Sequence, residues 1–466
     1  MEVSTVSTRD KALRVNLDQG FYGTFAEIGA GQEVVRWFFR VGGAAGTIAK
    51  SISAYDMQVS DAIYGKCKRY VCRDRLEAML QYEQKLNIDR LQKIRGDSTA
   101  FFSFADTVSA RNYHGTNECH GWLGIRYQAE PGAATSEIII HVRMLDNENA
   151  LQQEALGIVG VNLIYGALYM ADEPYKILQS LLDGLSIERL EIDMVEFSGA
   201  GFENVDPRIM SLRLVQLGLS GAAMFASDGT VLQPSEHLRK KSLLVERGRF
   251  RPVTHVNTDM LSAATKAIDL ETDTEPGKTL TILEIAMHNL RAEGEIDLQD
   301  FLSRAEVLAS TGHTVMISDF PEYYRLAAYL SRYTNRRIGL AMGAYSLTEI
   351  FNEQYYAKLD GGLLESFGRL FKHNVKLYIY PFLNPETKEL ITTENLNLPA
   401  NLAPLYQYLL QRDCISQLTD YNEDYLNIFS PDVLKMISEG SSGWEQYVPD
   451  TVAKEIKTKN LFGYSS

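Results

Sequence analysis

The sequence predicts an α/β fold with a (β/α)8-like barrel over residues 136–413. Eight short β-type runs alternate there with helix-type runs. Several of these runs are apolar at successive positions, which is typical of parallel strands buried on both faces. An open doubly wound sheet is the alternative, and it becomes the better interpretation if the run Val161–Leu168 is helical. A barrel would place the chemistry at the C-terminal ends of its strands.

The residues before position 100 lack this alternation and predict a helical N-terminal domain, residues 1–99. Gln32–Val41 places valines and phenylalanines on one helical stripe. Thr47–Ile63 has the pattern of a second helix. Arg73–Arg95 predicts a longer, strongly charged helix, which Gly96 ends.

Residues 100–135 predict a β extension that leads into the first barrel strand. Ala100–Val108 and Trp122–Gln128 have strand-like composition, and the turn-forming stretch Glu130-Pro-Gly-Ala-Ala follows the second of them. At the other end of the chain, residues 414–466 are polar and rich in tyrosine. We expect this C-terminal tail to pack back on the body.

The barrel itself is predicted from eight β-type runs in chain order. They are Glu137–Met144, Val161–Leu168, Arg189–Phe197, Ala222–Ala226, Leu280–Met287, Thr314–Ser318, Ile338–Met342 and Val375–Tyr380. Helix-type runs follow them, and proline at a favoured first-turn position opens two, at Pro174 and Pro207. The fourth β-type run is followed by a long irregular insertion before the helix Asn257–Asp269.

Composition excludes several classes of protein. A chain of 466 residues with 45% hydrophobic and 23% charged residues is globular and suits two or three domains. Its net charge of −14 argues against a general affinity for nucleic acid or for an anionic membrane surface.

The first residues lack the apolar core of a signal peptide, and the apolar runs are far shorter than the roughly 20 residues of a membrane span. Four cysteines without zinc-site spacing favour reduced thiols. We therefore expect a cytoplasmic protein.

The segment Arg239–Arg251 is the most unusual local feature, because it carries six cations against the single acid Glu246. Arg247, Arg249 and Arg251 alternate, so in an extended strand they would lie on one face. Guanidinium groups arranged in this way could bind phosphate or carboxylate through paired hydrogen bonds. The alternative is a solvated loop that pairs with the protein's own carboxylates. The hypothesis that follows is a site for a small anionic molecule.

The predicted strand ends supply the candidate catalytic residues. They are Glu196, Glu284, His288 and Asp319. Carboxylates and a histidine that converge in a barrel mouth could act as general acid and base, or could hold a divalent metal. For each residue taken alone, exposure to solvent or a structural ion pair is the alternative interpretation.

Strand periodicity restricts which of these side chains meet. In the first strand, His141 and Arg143 share a face, and Arg143 joins the expected anion-binding set. In the third strand, Asp193 is expected to face away from Glu196, because the two residues are three positions apart. His120, just before the barrel, is a further candidate acid or base, with a hydrogen-bonded structural histidine as the alternative.

Six stretches of the chain are long enough to be specific for a family. They are Tyr22–Glu33, Ser53–Met57, Ser60–Gly65, Phe104–Val108, Asn162–Gly166 and Phe250–Thr254. Through them, and over nearly its full length, the chain resembles a group of uncharacterised bacterial proteins of similar size. The members carry labels such as nicotinate-nucleotide adenylyltransferase or TonB-dependent receptor. The resemblance implies no established site residues.

The motifs that these two labels require are missing from the sequence. An adenylyltransferase of that type needs an HxGH motif, whereas His114-Gly-Thr-Asn and His120-Gly-Trp-Leu lack the second histidine. A TonB-dependent receptor needs a signal peptide and a membrane barrel of about 22 alternating strands.

The best hypothesis from sequence is an enzyme that binds a small anionic, phosphorylated or nucleotide-like substrate at the barrel mouth. The alternative is a non-catalytic cytosolic scaffold or ligand-sensing protein. In that case the N-terminal domain would mediate homo-oligomerisation.

Overall fold

The computed structural model describes residues 6–29, 32–291 and 294–465, and the chain divides into two compact units. The first unit ends at Gly221 and the second begins at Ala222. This division falls inside the stretch that was predicted to form one barrel. Each unit has its own sheet and is described separately as unit 1 and unit 2.

Unit 1 is built on a six-stranded mixed sheet with the strand order β2-β1-β3-β4-β5-β6. Its strands are β1 (Phe21–Gly29), β2 (Ile48–Ile52), β3 (Ala100–Ser109), β4 (His120–Gln128), β5 (Thr135–Met144) and β6 (Leu190–Gly199). Its helices are α1 (Thr8–Leu17), α2 (Glu33–Val41), α3 (Met57–Tyr64), α4 (Arg73–Arg95), α5 (Asn149–Tyr169), α6 (Pro174–Ser180) and α7 (Pro207–Gln216). Strand β1 pairs in parallel with β2 and β3, and the remaining pairs are antiparallel.

Helices cover both faces of this sheet. Helix α4 packs on one face, where a side chain at Gly124 of β4 would collide with Leu76 and Leu80. Helix α5 lies on the other face, between β4 and the helices α1 and α2. Because α5 is covered on every side, it is buried continuously from Ala155 to Ala167.

The burial of α5 explains one error of the sequence prediction. Val161–Leu168 was counted as the second barrel strand, but it is the C-terminal half of this helix. A short apolar run does not distinguish a buried strand from a buried helix, since both are apolar at successive positions.

Unit 2 is built on an eight-stranded sheet with the order β16-β13-β12-β9-β10-β11-β7-β8, together with the small pair β14-β15. The strands are β7 (Ala222–Phe225), β8 (Val231–Leu232), β9 (Leu243–Arg247), β10 (Leu280–Ala286), β11 (Thr314–Ser318), β12 (Ile338–Gly343), β13 (Val375–Tyr380), β14 (Phe382–Leu383), β15 (Leu390–Ile391) and β16 (Ile415–Gln417).

The helices of unit 2 connect these strands and form its C-terminal part. They are α8 (Pro234–Leu238), α9 (His255–Asp269), α10 (Met287–Leu290), α11 (Leu298–Ala309), α12 (Tyr323–Leu330), α13 (Ala344–Ile350), α14 (Gly362–Leu370), α15 (Ala403–Gln411), α16 (Ser430–Ser438) and α17 (Asp450–Lys459). Short 3-10 turns in the chain lie at Ala44–Gly46, Glu353–Tyr356, Glu423–Asn427, Trp444–Tyr447 and Leu461–Gly463. Within unit 2, helix α17 packs on α11.

Six strands of unit 2 are parallel and form a doubly wound sheet around β9. From β9 the chain proceeds outward through β10 to β11, and it then returns to the other side of β9 with β12, β13 and β16. Strand β7 closes the β11 side in antiparallel orientation. The direction of winding therefore reverses between β9 and β12, the position at which such sheets form a crevice outside the carboxyl ends of their strands.

The predicted barrel is thus replaced by two open sheets. Two of the eight runs, Glu137–Met144 and Arg189–Phe197, pair antiparallel in unit 1, and Val161–Leu168 is helical. The count also missed Leu243–Arg247 and Ile415–Gln417, which are parallel strands of unit 2. The doubly wound alternative describes unit 2.

The N-terminal predictions were correct in part. Helix α4 has the expected bounds, and β3 to β5 form the expected antiparallel strands. The purely helical character of residues 1–99 was wrong, because β1 and β2 belong to the sheet. Thr47–Ile63 contains β2 followed by α3. In the described ranges, no helix has both the length and the apolar character that crossing a bilayer requires.

The contact between α5 and α2 yields a stability prediction. A methyl group at Gly160 would lie 2.4 Å from Cγ2 of Val34, a β-branched side chain with little rotamer freedom. We expect Gly160→Ala to lower the free energy of unfolding of unit 1 by about 1–3 kcal/mol, despite the better helix propensity of alanine. Urea unfolding followed by circular dichroism measures this change.

Two further variants test the cause. Val34→Ala combined with Gly160→Ala should be more stable than the sum of the single effects, because the collision is removed. Gly368→Ala in α14 is the matched control, since an added methyl group there meets nothing within 4 Å. Equal effects of the two glycine substitutions would contradict the packing of α5 on α2.

Candidate functional site

A cavity of about 760 Å³ lies in unit 2 at the carboxyl edge of its doubly wound sheet. The segments that follow β9, β10, β11 and β12 line it. This is the edge at which the winding reverses between β9 and β12. Both the position and the volume suit a small-molecule site.

An ion pair between Arg247, the last residue of β9, and Glu284 of β10 supports one wall of this cavity. Nε and Nη2 of Arg247 donate to the two carboxylate oxygens over 2.5 and 2.9 Å. Its remaining donors reach the backbone carbonyls of Phe320 and Pro321 over 2.7 and 2.8 Å. The Ser318 hydroxyl also donates to Glu284.

These contacts fit the alternative that the sequence left open for both residues, an ion pair within the protein. The side chains of Arg247 and Glu284 are 6% and 0% exposed. Glu284 accepts bonds on both oxygens, so it is a structural carboxylate and has no free oxygen to act as a base. Arg247 holds the loop after β11, and its guanidinium lies 4.5 Å from the ring centre of Tyr323 in a cation–π contact.

Of the two arginines in the described lining of the cavity, Arg249 is the one available to a ligand. It is exposed, it lines the cavity, and it forms no ion pair with any described residue. Arg251, by contrast, pairs with Asp300 over 2.6 Å. The predicted alternation of three arginines on one face fails because β9 ends at Arg247, and Phe250 then takes a left-handed backbone conformation.

His288 and Asp319 occupy different positions around this edge. His288 lies in the short helix α10 and lines the cavity. Partial desolvation and the positive charge of Arg247 lower the pKa of His288, so its ring is neutral at pH 7. Asp319 is exposed directly after β11 and does not line the cavity.

Tyrosines form much of the remaining wall. Tyr345 and Tyr355, which follow β12, are 64% and 54% exposed, and Tyr323 lies at the start of α12. The Tyr355 hydroxyl donates to Glu349 over 2.8 Å. Burial raises the pKa of Tyr323 to about 12, which keeps its hydroxyl neutral. Exposed aromatic faces beside carboxylates can bind a flat ring and hydroxyl groups.

Two of the predicted site residues lie in unit 1. Arg73 donates two parallel hydrogen bonds to Glu196 over 2.8 and 2.6 Å. Arg143 pairs with Glu191 over 2.8 Å. Both are ion pairs between neighbouring elements. Glu196 and Arg143 were expected to lie at one barrel rim with the other candidate residues, but neither unit contains such a group.

The expected orientation of Asp193 was also wrong. Strand β6 contains a β-bulge, because His141 pairs with Met194 whereas Val142 pairs with Ile192, which leaves Asp193 as the extra residue. The bulge shifts the alternation of the strand by one position. Asp193 therefore lies on the same face as Glu196, which is the face covered by α4.

The described ranges contain no group of three or more histidine, cysteine, aspartate or glutamate side chains that could hold a metal ion. The cysteines are free thiols, with Sγ of Cys67 and Cys72 3.2 Å apart.

Sequence reasoning missed the tyrosines of the cavity and the strand that supports it. Tyr323 and Tyr345 follow strand ends, but only charged residues were considered at those positions. The strand Leu243–Arg247 was hidden inside the basic segment. Its run of three apolar residues, Leu-Leu-Val, was the available signal.

Comparisons with known proteins do not assign a family. No family model matches the chain, and no curated protein matches it. Among solved structures, the competence/damage inducible protein CihA from Agrobacterium tumefaciens has 15% identity and a TM-score of 0.24. The match covers 36% of this chain and 96% of that protein.

Two other structures give matches of similar strength. A competence-damaged protein (CinA) superfamily protein from Enterobacter cloacae has 13% identity and a TM-score of 0.26, with 36% of this chain and 96% of that protein covered. A proposed nicotinate-nucleotide adenylyltransferase from Vibrio parahaemolyticus has 12% identity and a TM-score of 0.21, with 48% of this chain and 97% of that protein covered. Similarity at this level carries no functional conclusion.

The ion pair under the cavity leads to a prediction about Glu284. Glu284→Gln leaves the buried Arg247 without its counter-charge, and we expect the free energy of unfolding of unit 2 to fall by about 3–5 kcal/mol. Urea unfolding measures the effect. Glu365→Gln, which breaks the exposed pair with Arg369, is the control and should change stability much less. A Glu284→Gln variant as stable as the wild type would contradict the structural role.

A second prediction concerns Glu246, the neighbour of Arg247 in β9. Its side chain is buried, Oε1 accepts from Asn257 over 2.7 Å, and Oε2 has no hydrogen-bond partner in the described ranges. Burial raises the pKa of Glu246 to about 8, so the folded state binds a proton that the unfolded chain releases near pH 4.5. The raised pKa of Glu246 therefore contributes to the free energy of unfolding in full below pH 4.5, and this contribution is lost as the pH rises through 8.

Glu246→Gln removes this dependence on pH. Relative to the wild type, the variant should gain stability between pH 5 and pH 8, by at most about 1.4 kcal/mol per pH unit, and the gain should level off above pH 8. Chemical unfolding at a series of pH values measures it. Glu394→Gln, at an exposed position, is the control. If the free energy of unfolding changed with pH in the same way in Glu246→Gln and in the wild type, Glu246 would not be a neutral carboxyl group in the folded state.

Proposed function

We propose that unit 2 binds a small nucleotide-like anion in the cavity at the carboxyl edge of its sheet. The observation that carries the proposal is the coincidence of three features at one place. The reversal of winding between β9 and β12 creates the crevice, and exposed tyrosine rings offer flat apolar surface. The guanidinium of Arg249, which has no ion-pair partner among the described residues, offers a charge. Doubly wound sheets bind nucleotides at such a crevice.

Each part of a nucleoside phosphate has a chemical counterpart in the cavity wall. The planar guanidinium of Arg249 suits two oxygens of a phosphate. The rings of Tyr345 and Tyr355 can stack with a base. The carboxylate of Glu349 can accept hydrogen bonds from ribose hydroxyl groups, because a carboxylate is an acceptor only. A ligand that has all three groups should bind better than any one of its fragments.

The cavity offers few groups for acid–base chemistry. His288 is neutral and lines the cavity, so it is the candidate acid or base for a reaction there. Asp319 and Glu284 do not present a free carboxylate inside the cavity. Binding without catalysis, as in a ligand-sensing protein, therefore has more support than an enzymatic reaction in this cavity.

Thermal unfolding with defined probes tests the proposal. Adenosine monophosphate should raise the unfolding temperature of the full chain by several degrees, since a ligand at about 100 times its Kd adds ~2.7 kcal/mol. Adenosine and inorganic phosphate should have smaller effects. Arg249→Ala should weaken binding of the nucleotide by about 10- to 100-fold, the value of a charge-assisted hydrogen-bonded contact.

Matched controls separate the cavity from the general surface. Arg412→Ala removes an exposed arginine just before β16, at the opposite edge of the sheet, and should leave nucleotide binding unchanged. Tyr345→Ala should weaken binding, whereas Tyr408→Ala, at a comparably exposed tyrosine of α15, should not. A chain that no nucleoside phosphate stabilises, or equal effects of Arg249→Ala and Arg412→Ala, would refute the proposal.

A further inference from the structure

Two cysteines of unit 1 lie close enough to each other to react as a pair. Sγ of Cys67 and Sγ of Cys72 are 3.2 Å apart, and both residues are free thiols. A disulfide bond joins its sulfurs at about 2.05 Å, so the two atoms need to approach each other by about 1.2 Å. Small changes in the side-chain torsion angles of both residues are enough for this movement.

The chain between the two cysteines brings their sulfurs together. Oγ1 of Thr107, in β3, donates to the carbonyl of Tyr70 over 2.7 Å. Sγ of Cys72 donates to the carbonyl of Arg69 over 3.2 Å. Cys72 has an extended backbone and directly precedes α4, so the helix fixes its position. These contacts anchor the segment at β3 and at α4, and they hold the sulfur of Cys72 beside that of Cys67.

The two thiols differ in their access to solvent. Cys72 is 8% exposed, whereas Cys67 is half-buried. Burial raises the pKa of the Cys72 thiol to about 11, so Cys72 keeps its hydrogen at neutral pH and is a weak nucleophile. A reagent in solution therefore meets Cys67 first, and Cys72 is placed to complete the reaction.

The sequence beside Cys67 is basic, although the whole chain has a net charge of −14. Lys66, Lys68 and Arg69 are exposed, and none of the three forms an ion pair with a described residue. Three such cations next to a thiol raise the local concentration of an anionic reagent. Glutathione disulfide carries several carboxylates around its reactive sulfurs, so it is a suitable probe of this chemistry.

We propose that Cys67 and Cys72 form a redox-modification site that reacts with a small anionic disulfide. In the first step, the sulfur of Cys67 attacks one sulfur of the reagent, whose S–S bond breaks. One thiol leaves with the hydrogen that Cys67 loses. In the second step, the sulfur of Cys72 attacks Sγ of Cys67 and releases the second thiol, which takes up the hydrogen of Cys72. The two cysteines are oxidised to a disulfide, and the reagent is reduced to two thiols.

Mass spectrometry of the folded full chain tests the pair. Cys119→Ser combined with Cys414→Ser keeps only the two proposed cysteines of the four in the chain. After incubation with glutathione disulfide, this variant should lose the mass of two hydrogens, and dithiothreitol should restore the original mass. Trypsin cuts between the two cysteines, after Lys68 and Arg69, and should release two peptides joined by the disulfide. A product with glutathione on each cysteine, or no product, would overturn the proposal.

Single variants on the same background test the order of the two steps. Cys72→Ser should keep one glutathione on Cys67, because the thiol that completes the reaction is missing. Cys67→Ser should react at least about tenfold more slowly, since the remaining thiol is buried and keeps its hydrogen. Equal rates for the two variants would refute the role of Cys67 as the attacking thiol.

A neutral reagent tests the part that charge plays. Bis(2-hydroxyethyl) disulfide lacks the carboxylates of glutathione disulfide. Lys66→Gln combined with Lys68→Gln should slow the reaction with glutathione disulfide several-fold more than the reaction with the neutral disulfide, and added salt should reduce the difference. Lys93→Gln, at an exposed lysine near the other end of α4, is the control and should change neither rate. An equal effect of the lysine substitutions on both reagents would contradict the preference for an anionic disulfide.

Discussion

The buried pair of Arg247 and Glu284 is the interaction on which the carboxyl edge of unit 2 depends. Two charges without water are costly unless each finds all of its partners. Here the carboxylate, two backbone carbonyls and a tyrosine ring surround the guanidinium, and the Ser318 hydroxyl completes the shell of Glu284. The pair therefore joins β9, β10 and the segment after β11 into one rigid wall.

A rigid wall has a functional consequence, because ligand-binding groups need fixed neighbours. Because Arg247 is held by the protein, Arg249 is the arginine in the described cavity lining that is left for a ligand. We assign Arg249 to the ligand, because it forms no ion pair with any residue that the structure describes.

Sequence patterns predicted the local elements well and their arrangement poorly. Arg73–Arg95 has a long amphipathic pattern with a glycine after it, and its helix has those bounds. Val161–Leu168 could not be distinguished from a strand, because its helix is buried on all sides. Asp193 was assigned to the wrong face, since a bulge leaves no clear mark in the sequence and shifts the alternation that follows. For Arg247 and Glu284 the sequence left an ion pair as the alternative interpretation, and it could not name the partner because the two residues lie on different strands.

By itself, the sequence determined that the chain is an α/β protein, that a basic segment interrupts an acidic chain, and that His288 follows a strand. These properties depend on composition and on periodicity over a few residues. Only the tertiary structure decided that the strands form two open sheets, that β9 lies at the centre of one of them, and which arginines are paired. The reason is physical: strand order and ion pairing join residues far apart in the chain, and no local pattern encodes which distant partner each residue meets.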